Sequence, residues 1–322
     1  MLTAQAAAND LGIELIIRHG QGESSYRTKK LGIELLNTEP KLDYFITGYW
    51  VGVTDTHIDI ARQRGTKVFI FNSDINPNDR NAMGKPRSIH KHWIGHMIPD
   101  DATAAETLTV ELIRRAQTHA GNGNLKISIL CVSGNTDNTV STDRNRGAQR
   151  AADRFDNVEI AAIEYDEWSQ SAAFSSTAEA ITGIPELSVV VAASDHMAIG
   201  VIDAASKSGK SPGKDFFVGG FDVSEEGLEH LQSGKLSASM GGHFLEAAWA
   251  LILIYDYHHG KDFADELNVQ IPTQMHIVTD ATYKQFEKIF GDFDWESVDF
   301  RKLSKTYNPS LKTYNLGIER LL

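Results

Sequence analysis

The sequence predicts an α/β protein with two lobes, each built on a parallel sheet with helices on both faces. Short apolar strands alternate with helical patterns along most of the chain, which is typical of βαβ units. The length of 322 residues suits two domains. A run rich in Gly and Asn at 121–124 separates two stretches with the same alternation. Because βαβ crossovers are right-handed, helices are expected on both faces of each sheet.

The composition excludes several classes of protein. Hydrophobic residues make up 41% and charged residues 23% of the chain, so a disordered or collagen-like chain is excluded. The net charge of -12 argues against nucleic acid as a partner, because binding phosphates needs a basic surface. Cys131 is the single cysteine, so neither an intrachain disulfide nor a CxxC metal site is expected. No apolar run reaches the length of about 18 residues that a transmembrane helix needs.

Periodicity and turn residues place the elements of the first half. Gly12 ends an Ala-rich helix, because glycine accepts the left-handed conformation that ends helices. The polar stretch 72–91 contains two prolines and is expected to be a functional or mobile loop. Helices are predicted at 2–9, through 31–36, at 55–64 and at 101–119, and strands at 13–17, 44–46 and 67–71.

The second half repeats the pattern and then loses it. From residue 291 the chain is aromatic and polar with little periodicity, so 291–322 is expected to be an extension that wraps over the folded body. Before it, strands are predicted at 126–131, 158–163, 188–192, 216–219, 236–240 and 275–279, and helices at 142–154, 171–182, 195–208, 224–233, 244–258 and 283–290.

No catalytic, metal or cofactor site is predicted. His90, His92 and His96 include the HxH spacing that can hold zinc, but no acidic ligand stands at a recognisable distance, and we interpret them as a polar loop entering a strand. Nucleophile-elbow, phosphate-loop and dinucleotide-binding motifs are all missing. Cys131 lies in an apolar strand and is interpreted as core. The chain is therefore not expected to be an enzyme.

Polar and aromatic residues follow the carboxyl ends of five predicted strands. Ligands of open α/β sheets bind at that edge. A carboxylate accepts hydrogen bonds from two hydroxyls, an arginine donates a fork, and an aromatic ring packs on a sugar's apolar face. Taken singly, such residues also have structural interpretations, such as helix N-caps. Together they predict a site for a polyhydroxylated ligand, formed from Asn72–Asp74, Gly134–Asn135, Tyr165–Trp168, Ser194–Asp195 and Phe221–Asp222.

One segment, residues 193–240, carries a specific motif pattern. It contains SDHMAIG, then VGGFD, then LQSGKLSAS. This order resembles the periplasmic sugar-binding proteins of the ribose-binding type, whose pattern is ND-x-MA-x-G, VVGFD and I-x-x-G-x-L-x-A-T/S. The likeness extends more weakly from residue 1 to about 290. The same fold serves the effector domains of LacI-type repressors and the LuxP sensor.

The resemblance implies ligand-binding roles for individual residues. Arg146, which precedes a glycine, matches the family's sugar-gripping arginine. Ser194 stands where the family usually has Asn, and His243 stands near a position where it often has Gln. Phe221 and Asp222 match the Phe-Asp pair of the GFD motif. The full implied set is Asn72, His96, Arg146, Trp168, Ser194, Phe221, Asp222 and His243.

The resemblance also implies the domain organisation. Two Rossmann-like lobes are expected to be joined by three crossover segments near 121–125, 241–245 and 272–277. The ligand would be held between the lobes, which close by hinge bending. The N-terminal lobe would comprise 1–122 and 244–274, the C-terminal lobe 123–243 and 275–290, and the extension 291–322.

Family members begin with a strand and a binding loop that precede their first helix. Here the chain is expected to start partway through that helix, with 13–17 as the following strand, so the first strand of the N-terminal lobe is missing. A signal peptide is presumed lost with that segment, which implies a periplasmic location.

The leading functional hypothesis is a monomeric receptor that delivers a sugar or related polyol to the permease of an ABC-type importer. One alternative is a periplasmic sensing subunit that presents its bound form to a membrane histidine kinase, an option kept open by loop 72–92 and the extension. A second is a LacI-type effector domain lacking its DNA-binding part, which the acidic charge disfavours.

Overall fold

The structure is a computed structural model that describes residues 2–18, 25–121, 126–184, 186–290, 293–318 and 321. Its strands are β1 Tyr44–Gly48, β2 Lys67–Phe71, β3 Trp93–Pro99, β4 Ile127–Ser133, β5 Val158–Tyr165, β6 Leu187–Ala192, β7 Phe217–Phe221, β8 Ala238–Gly241, β9 Gln270–Thr273 and β10 His276–Thr279. Its α-helices are α1 Leu2–Leu11, α2 Ser25–Leu36, α3 Thr54–Arg64, α4 Arg80–Met83, α5 Asp101–Ala120, α6 Thr139–Ala152, α7 Gln170–Gly183, α8 Asp195–Lys207, α9 Glu225–Gln232, α10 Glu246–His258, α11 Ala264–Leu267 and α12 Tyr283–Phe290.

The chain divides into two units, and each contains one sheet. Unit 1 comprises 1–99, 243–274 and 292–322, and unit 2 comprises 100–242 and 275–291. The unit 1 sheet has the parallel order β1-β2-β3-β9. The unit 2 sheet has the order β10-β8-β7-β6-β4-β5, in which only β10 is antiparallel to its neighbour. The predicted α/β fold class is confirmed.

The strand predicted at 13–17 is wrong. Residues 13–18 adopt no regular secondary structure, and the side chains of Ile16 and Ile17 are each 37% exposed. A strand is defined by its partner, and among the described residues no sheet strand pairs with this segment. Apolar, β-branched composition indicates only that a segment favours extended backbone. The prediction also missed helix α11 and strand β9, and β9 adds a parallel strand beside β3.

The polar stretch after β2 is anchored to the rest of unit 1. Ile75 and Met83 are buried in the apolar core of this unit, and α4 forms within the stretch. Arg87 donates to both carboxylate oxygens of Asp262, at 2.5 and 2.9 Å, and to the carbonyl oxygen of Ile94 at 2.7 Å. A forked arginine pair of this kind fixes both position and orientation.

Helix α5 belongs to unit 2, so the first crossover lies between residues 99 and 100 rather than near 122. Leu108 and Leu112 of α5 are fully buried in the same core as Ile129 and Val189 of the unit 2 sheet. Gly121 has a φ of 62° and ends α5, so it marks a helix end and not a domain boundary. The rest of the predicted linker, 122–125, lies outside the described residues. The next two crossovers, at 242/243 and 274/275, fall within the predicted segments.

Residues 293–318 return to unit 1, where a buried carboxylate holds them. Asp256 of α10 is fully buried and accepts hydrogen bonds from the Ser304 hydroxyl at 2.6 Å, the Lys305 and Thr306 amides at 2.7 and 2.9 Å, and the Tyr314 hydroxyl at 2.8 Å. Aromatic pairs add to this attachment, with Tyr255 stacked on Tyr307 at 5.3 Å and Trp249 edge-on to Phe300 at 6.1 Å. The extension is therefore part of the unit 1 fold.

Among the described helices, none is long and apolar enough to cross a membrane.

Replacing Asp256 with Ala is expected to lower the free energy of unfolding by at least about 2 kcal/mol, because buried donors lose their acceptor. Limited proteolysis should then cleave within 293–318. Urea denaturation and mass spectrometry of the fragments measure the two effects. Asp265→Ala provides the matched control, since Asp265 is exposed on α11. Equal stability of the two variants would contradict the role given to Asp256.

Candidate functional site

The sheet of unit 2 brings the strand-end residues of four adjacent strands together. Strands β7, β6, β4 and β5 are neighbours and run parallel, so their carboxyl ends lie along one edge. Asp222, Ser194, Asn135 and Trp168 follow these four strands in that order. The structure therefore places these four predicted residues along one edge of one sheet, where open α/β sheets bind ligands.

The turn after β7 has an unusual backbone. Asp222 has a φ of 106° and Val223 a φ of 50°, although neither is glycine. Such conformations cost about 1–3 kcal/mol each and persist only where surrounding contacts enforce them. The Asp222 amide donates to the Met240 carbonyl oxygen at 2.7 Å, and the Val223 amide donates to the Ser239 hydroxyl oxygen at 3.1 Å.

A second carboxylate, that of Asp195, lies behind this turn. It is 1% exposed and accepts from the Ser239 hydroxyl at 2.7 Å and from the Ser224 amide at 2.9 Å. Burial, together with the negative charge of Asp222, raises the pKa of Asp195 to about 8, although these hydrogen bonds act in the opposite direction. Asp195 is thus a structural acid, whereas Asp222 is half-buried.

The indole ring of Trp168 packs closely over Gly134, the residue directly after β4. A Cβ built on Gly134 would come within 2.0 Å of the indole ring, so no other residue fits at 134 without moving the tryptophan. Trp168 itself has a φ of 61°. The contact holds the ring at the same sheet edge as Asp222, which suits packing against an apolar sugar face.

Two buried polar atoms in this region lack a hydrogen-bond partner among the described residues. They are the acceptor Oδ1 of Asn135 and the donor Nε1 of Trp168. Buried polar atoms are nearly always satisfied in folded proteins. A hydroxyl group both donates and accepts, so one class of ligand satisfies both atoms.

The structure separates the two arginines of α6. Arg144 is 4% exposed, and its guanidinium donates to Asp101 at 2.7 Å and to the carbonyl oxygen of Ala193 at the end of β6. Arg146, the arginine predicted to grip the ligand, is exposed and pairs with Asp143 at 2.7 Å. The structure therefore places Arg144, and not Arg146, with the strand-end residues. Helical periodicity explains the difference, because positions two apart face different directions.

Two further predicted contacts have structural roles. Phe221 is fully buried, and the Arg144 guanidinium lies 3.9 Å from its ring centre, so its predicted stacking on a ligand is corrected to a place in the core. The Ser194 hydroxyl oxygen accepts from the Met197 amide at 3.1 Å and caps α8. The N-cap interpretation thus accounts for Ser194.

Unit 1 carries its own strand-end residues. Asn72, directly after β2, is exposed and has a φ of 69°. Its backbone amide donates at 2.9 Å to Glu246, a fully buried carboxylate that also accepts from the Thr273 hydroxyl. Glu246 was not singled out from the sequence, because acidic residues are common in the first turn of a helix and need not be buried there.

His96 is a core residue and not a surface contact. Its ring is fully buried within the sheet, and Nε2 donates to the Ser73 carbonyl oxygen at 2.8 Å. Burial lowers the pKa of His96 to about 4, so the ring is neutral near pH 7. The predicted role as a ligand contact is corrected accordingly. The described residues contain no cluster of three metal-ligating side chains, at His90 and His92 or elsewhere.

His243 and Trp50 complete the unit 1 candidates. His243 begins the 3₁₀ turn His243–Leu245 and is half-buried. Trp50 was missed, although it follows β1 just as the predicted residues follow their strands. It is half-buried, and its amide donates to the Thr54 hydroxyl oxygen at 2.8 Å.

Replacing the two α6 arginines tests their assignment. Arg144→Met should destabilise the fold by about 3–5 kcal/mol, because Asp101 loses a buried guanidinium partner. Arg146→Met should cost no more than about 1 kcal/mol, because its ion pair is exposed. Urea denaturation of both variants measures the difference. Equal effects would show that Arg144 is not the buried structural cation.

Several known proteins share this fold. A family model described as a periplasmic binding protein domain matches residues 4–262. A periplasmic sugar-binding protein from Pseudomonas fluorescens is similar, with a TM-score of 0.86 and 29% identity over 99% of this chain and 93% of that chain. The binding component of an arabinose ABC transporter from Shewanella sp. ANA-3 has a TM-score of 0.74 at 19% identity, covering 92% of both chains. The ribose import binding protein RbsB of Escherichia coli K12 is 24% identical over 220 residues, which span 60% of this chain and 69% of that protein.

Proposed function

We propose that this chain, which belongs to the periplasmic binding protein family, binds a sugar or related polyol and delivers it to the permease of an ABC-type importer. The proposal includes a periplasmic location. It also includes capture by hinge bending, in which residues of both units contact the ligand.

The observation that carries the proposal is a pair of buried polar atoms at the same sheet edge as Asp222 that have no partner among the described residues. Asn135 Oδ1 needs a donor, and Trp168 Nε1 needs an acceptor. Sugar hydroxyls supply both, and the Asp222 carboxylate can accept from two adjacent hydroxyls. The indole ring of Trp168 offers an apolar surface on which the C–H face of a sugar ring can pack.

The charge of this region favours a neutral ligand. The buried cation on α6, Arg144, is already paired with Asp101 at 2.7 Å. A ligand carboxylate would therefore compete with a protein carboxylate for that guanidinium, at the cost of leaving Asp101 without it. A polyol makes no such demand.

The relatives support the same ligand class. The Pseudomonas protein is described as sugar-binding, and the Escherichia coli relative is a ribose import protein. In unit 1, Asn72 and Trp50 offer the same kinds of group as Asn135 and Trp168, an amide and an indole. We assign these four residues and Asp222 as the ligand contacts to be tested first.

A thermal-shift screen against pentoses, hexoses and polyols, followed by calorimetry on the hits, tests the proposal. A ligand at about 100 times its dissociation constant adds about 2.7 kcal/mol of stability and raises Tm. Asp222→Ala should abolish this shift without unfolding the protein. Asp156→Ala is the matched control, because Asp156 is exposed and precedes β5 at the opposite edge of the sheet.

Two outcomes would contradict the proposal. One is a flat response to every sugar and polyol together with a clear response to amino acids. The other is unchanged sugar affinity in Asp222→Ala.

A further inference from the structure

We propose that Asp195 is a positioning residue for the ligand, because its buried carboxylate holds the turn at residues 222–224, in which Asp222 and Val223 have positive φ, and thereby sets the direction of the Asp222 side chain. This inference rests on the proposed function, in which Asp222 contacts the sugar. Asp195 itself is only 1% exposed, so we do not assign it as a ligand contact.

The carboxylate restrains both amides that follow Asp222. The Ser224 amide donates directly to Asp195 Oδ2 at 2.9 Å, and the Ser224 hydroxyl lies 3.3 Å from the same oxygen. The Val223 amide donates to the Ser239 hydroxyl oxygen at 3.1 Å, and that hydroxyl in turn donates to Asp195 Oδ1 at 2.7 Å. Each carboxylate oxygen therefore fixes one successive peptide of the turn.

The turn needs such restraint. Val223 is β-branched and has a φ of 50°, a conformation that β-branched residues rarely adopt. Asp222 precedes it with a φ of 106°. Without the two acceptors, the backbone would relax toward negative φ, and the Asp222 side chain would point elsewhere.

The surrounding chain is shaped to keep this carboxylate in place. A Cβ on Gly220 would come within 2.3 Å of Asp195 Oδ1, and a Cβ on Gly227 within 2.2 Å of Oδ2. Glycine at both positions leaves the space that the carboxylate occupies. If the turn opened, the carboxylate would stay buried and lose its donors, which is unfavourable.

The groups that face Asp195 are of two kinds. Asp222 is its charged neighbour, and this negative charge disfavours ionisation of Asp195, whereas Ser224 and Ser239 are its neutral donors.

The test combines two variants with two measurements. Asp195→Asn preserves shape but removes one acceptor, and Ser239→Ala removes the hydroxyl that links Val223 to Asp195. In the ligand-free protein, both should speed hydrogen exchange at the Val223 or Ser224 amide by at least about tenfold. Both should weaken the affinity for the best sugar of the screen by at least about tenfold. Ser237→Ala is the matched control. Ser237 is a buried serine directly before β8, the strand that contains Ser239, and its side chain is not among the hydrogen-bond partners of Asp195.

A rescue variant separates positioning from general damage. Glycine adopts a φ of 50° without penalty. The double variant Val223→Gly/Ser239→Ala should therefore bind the sugar at least about threefold more tightly than Ser239→Ala alone.

Faster exchange with unchanged sugar affinity would overturn the inference, as would unchanged exchange in both variants. If no sugar binds the unaltered protein, the proposed function fails. The exchange rates of the ligand-free variants still show whether Asp195 holds the turn.

Discussion

A buried carboxylate must be given hydrogen-bond donors, and this requirement organises both units. The described residues contain four acidic side chains that are no more than 4% exposed, at Asp101, Asp195, Glu246 and Asp256. Burying a charge is costly unless donors surround it. Each of the four receives donors from a segment far away in the sequence, so each holds together parts of the chain that local propensity leaves unconnected.

Two of these carboxylates serve the strand-end residues directly. Glu246 accepts from the amide of Asn72 in unit 1, and Asp195 fixes the turn that carries Asp222 in unit 2. Asn72 and Asp222 both have positive φ, at 69° and 106°. Strained backbone at a strand end is expected where a side chain must be aimed at a ligand. In both units, a buried carboxylate therefore accepts backbone hydrogen bonds at a strand end where a residue has positive φ.

The fold was largely predictable because periodicity reports on local structure. The central strands β4, β6 and β7 of unit 2 are nearly continuous apolar runs, as buried parallel strands are. The motifs of residues 193–240 resemble a family that the match to residues 4–262 confirms. The segment 13–17 failed because apolar composition does not reveal whether a partner strand exists. The domain boundary predicted near 122 was wrong because a Gly-rich run can mark the end of a helix as readily as the end of a domain.

The candidate site was predictable only in part. The strand-end rule identified Asp222, Trp168 and Asn135, and the same rule applied to β1 would have found Trp50. It did not separate Arg144 from Arg146, or show that Phe221 is covered, because both depend on which way a side chain faces in three dimensions. The roles of Asp195 and Glu246 were also hidden, since a buried acid and a helix-capping acid look alike in a sequence.

The central claim is that polar groups at the carboxyl ends of the unit 2 strands bind a sugar. The indole resonance of Trp168 tests it most directly, because Nε1–H is buried and has no protein acceptor among the described residues. Titration of a sugar hit into ¹⁵N-labelled protein, with the peak assigned by Trp168→Phe, should move this resonance to lower field in proportion to saturation. A Trp168 resonance that stays in place while the sugar saturates the protein would contradict the account.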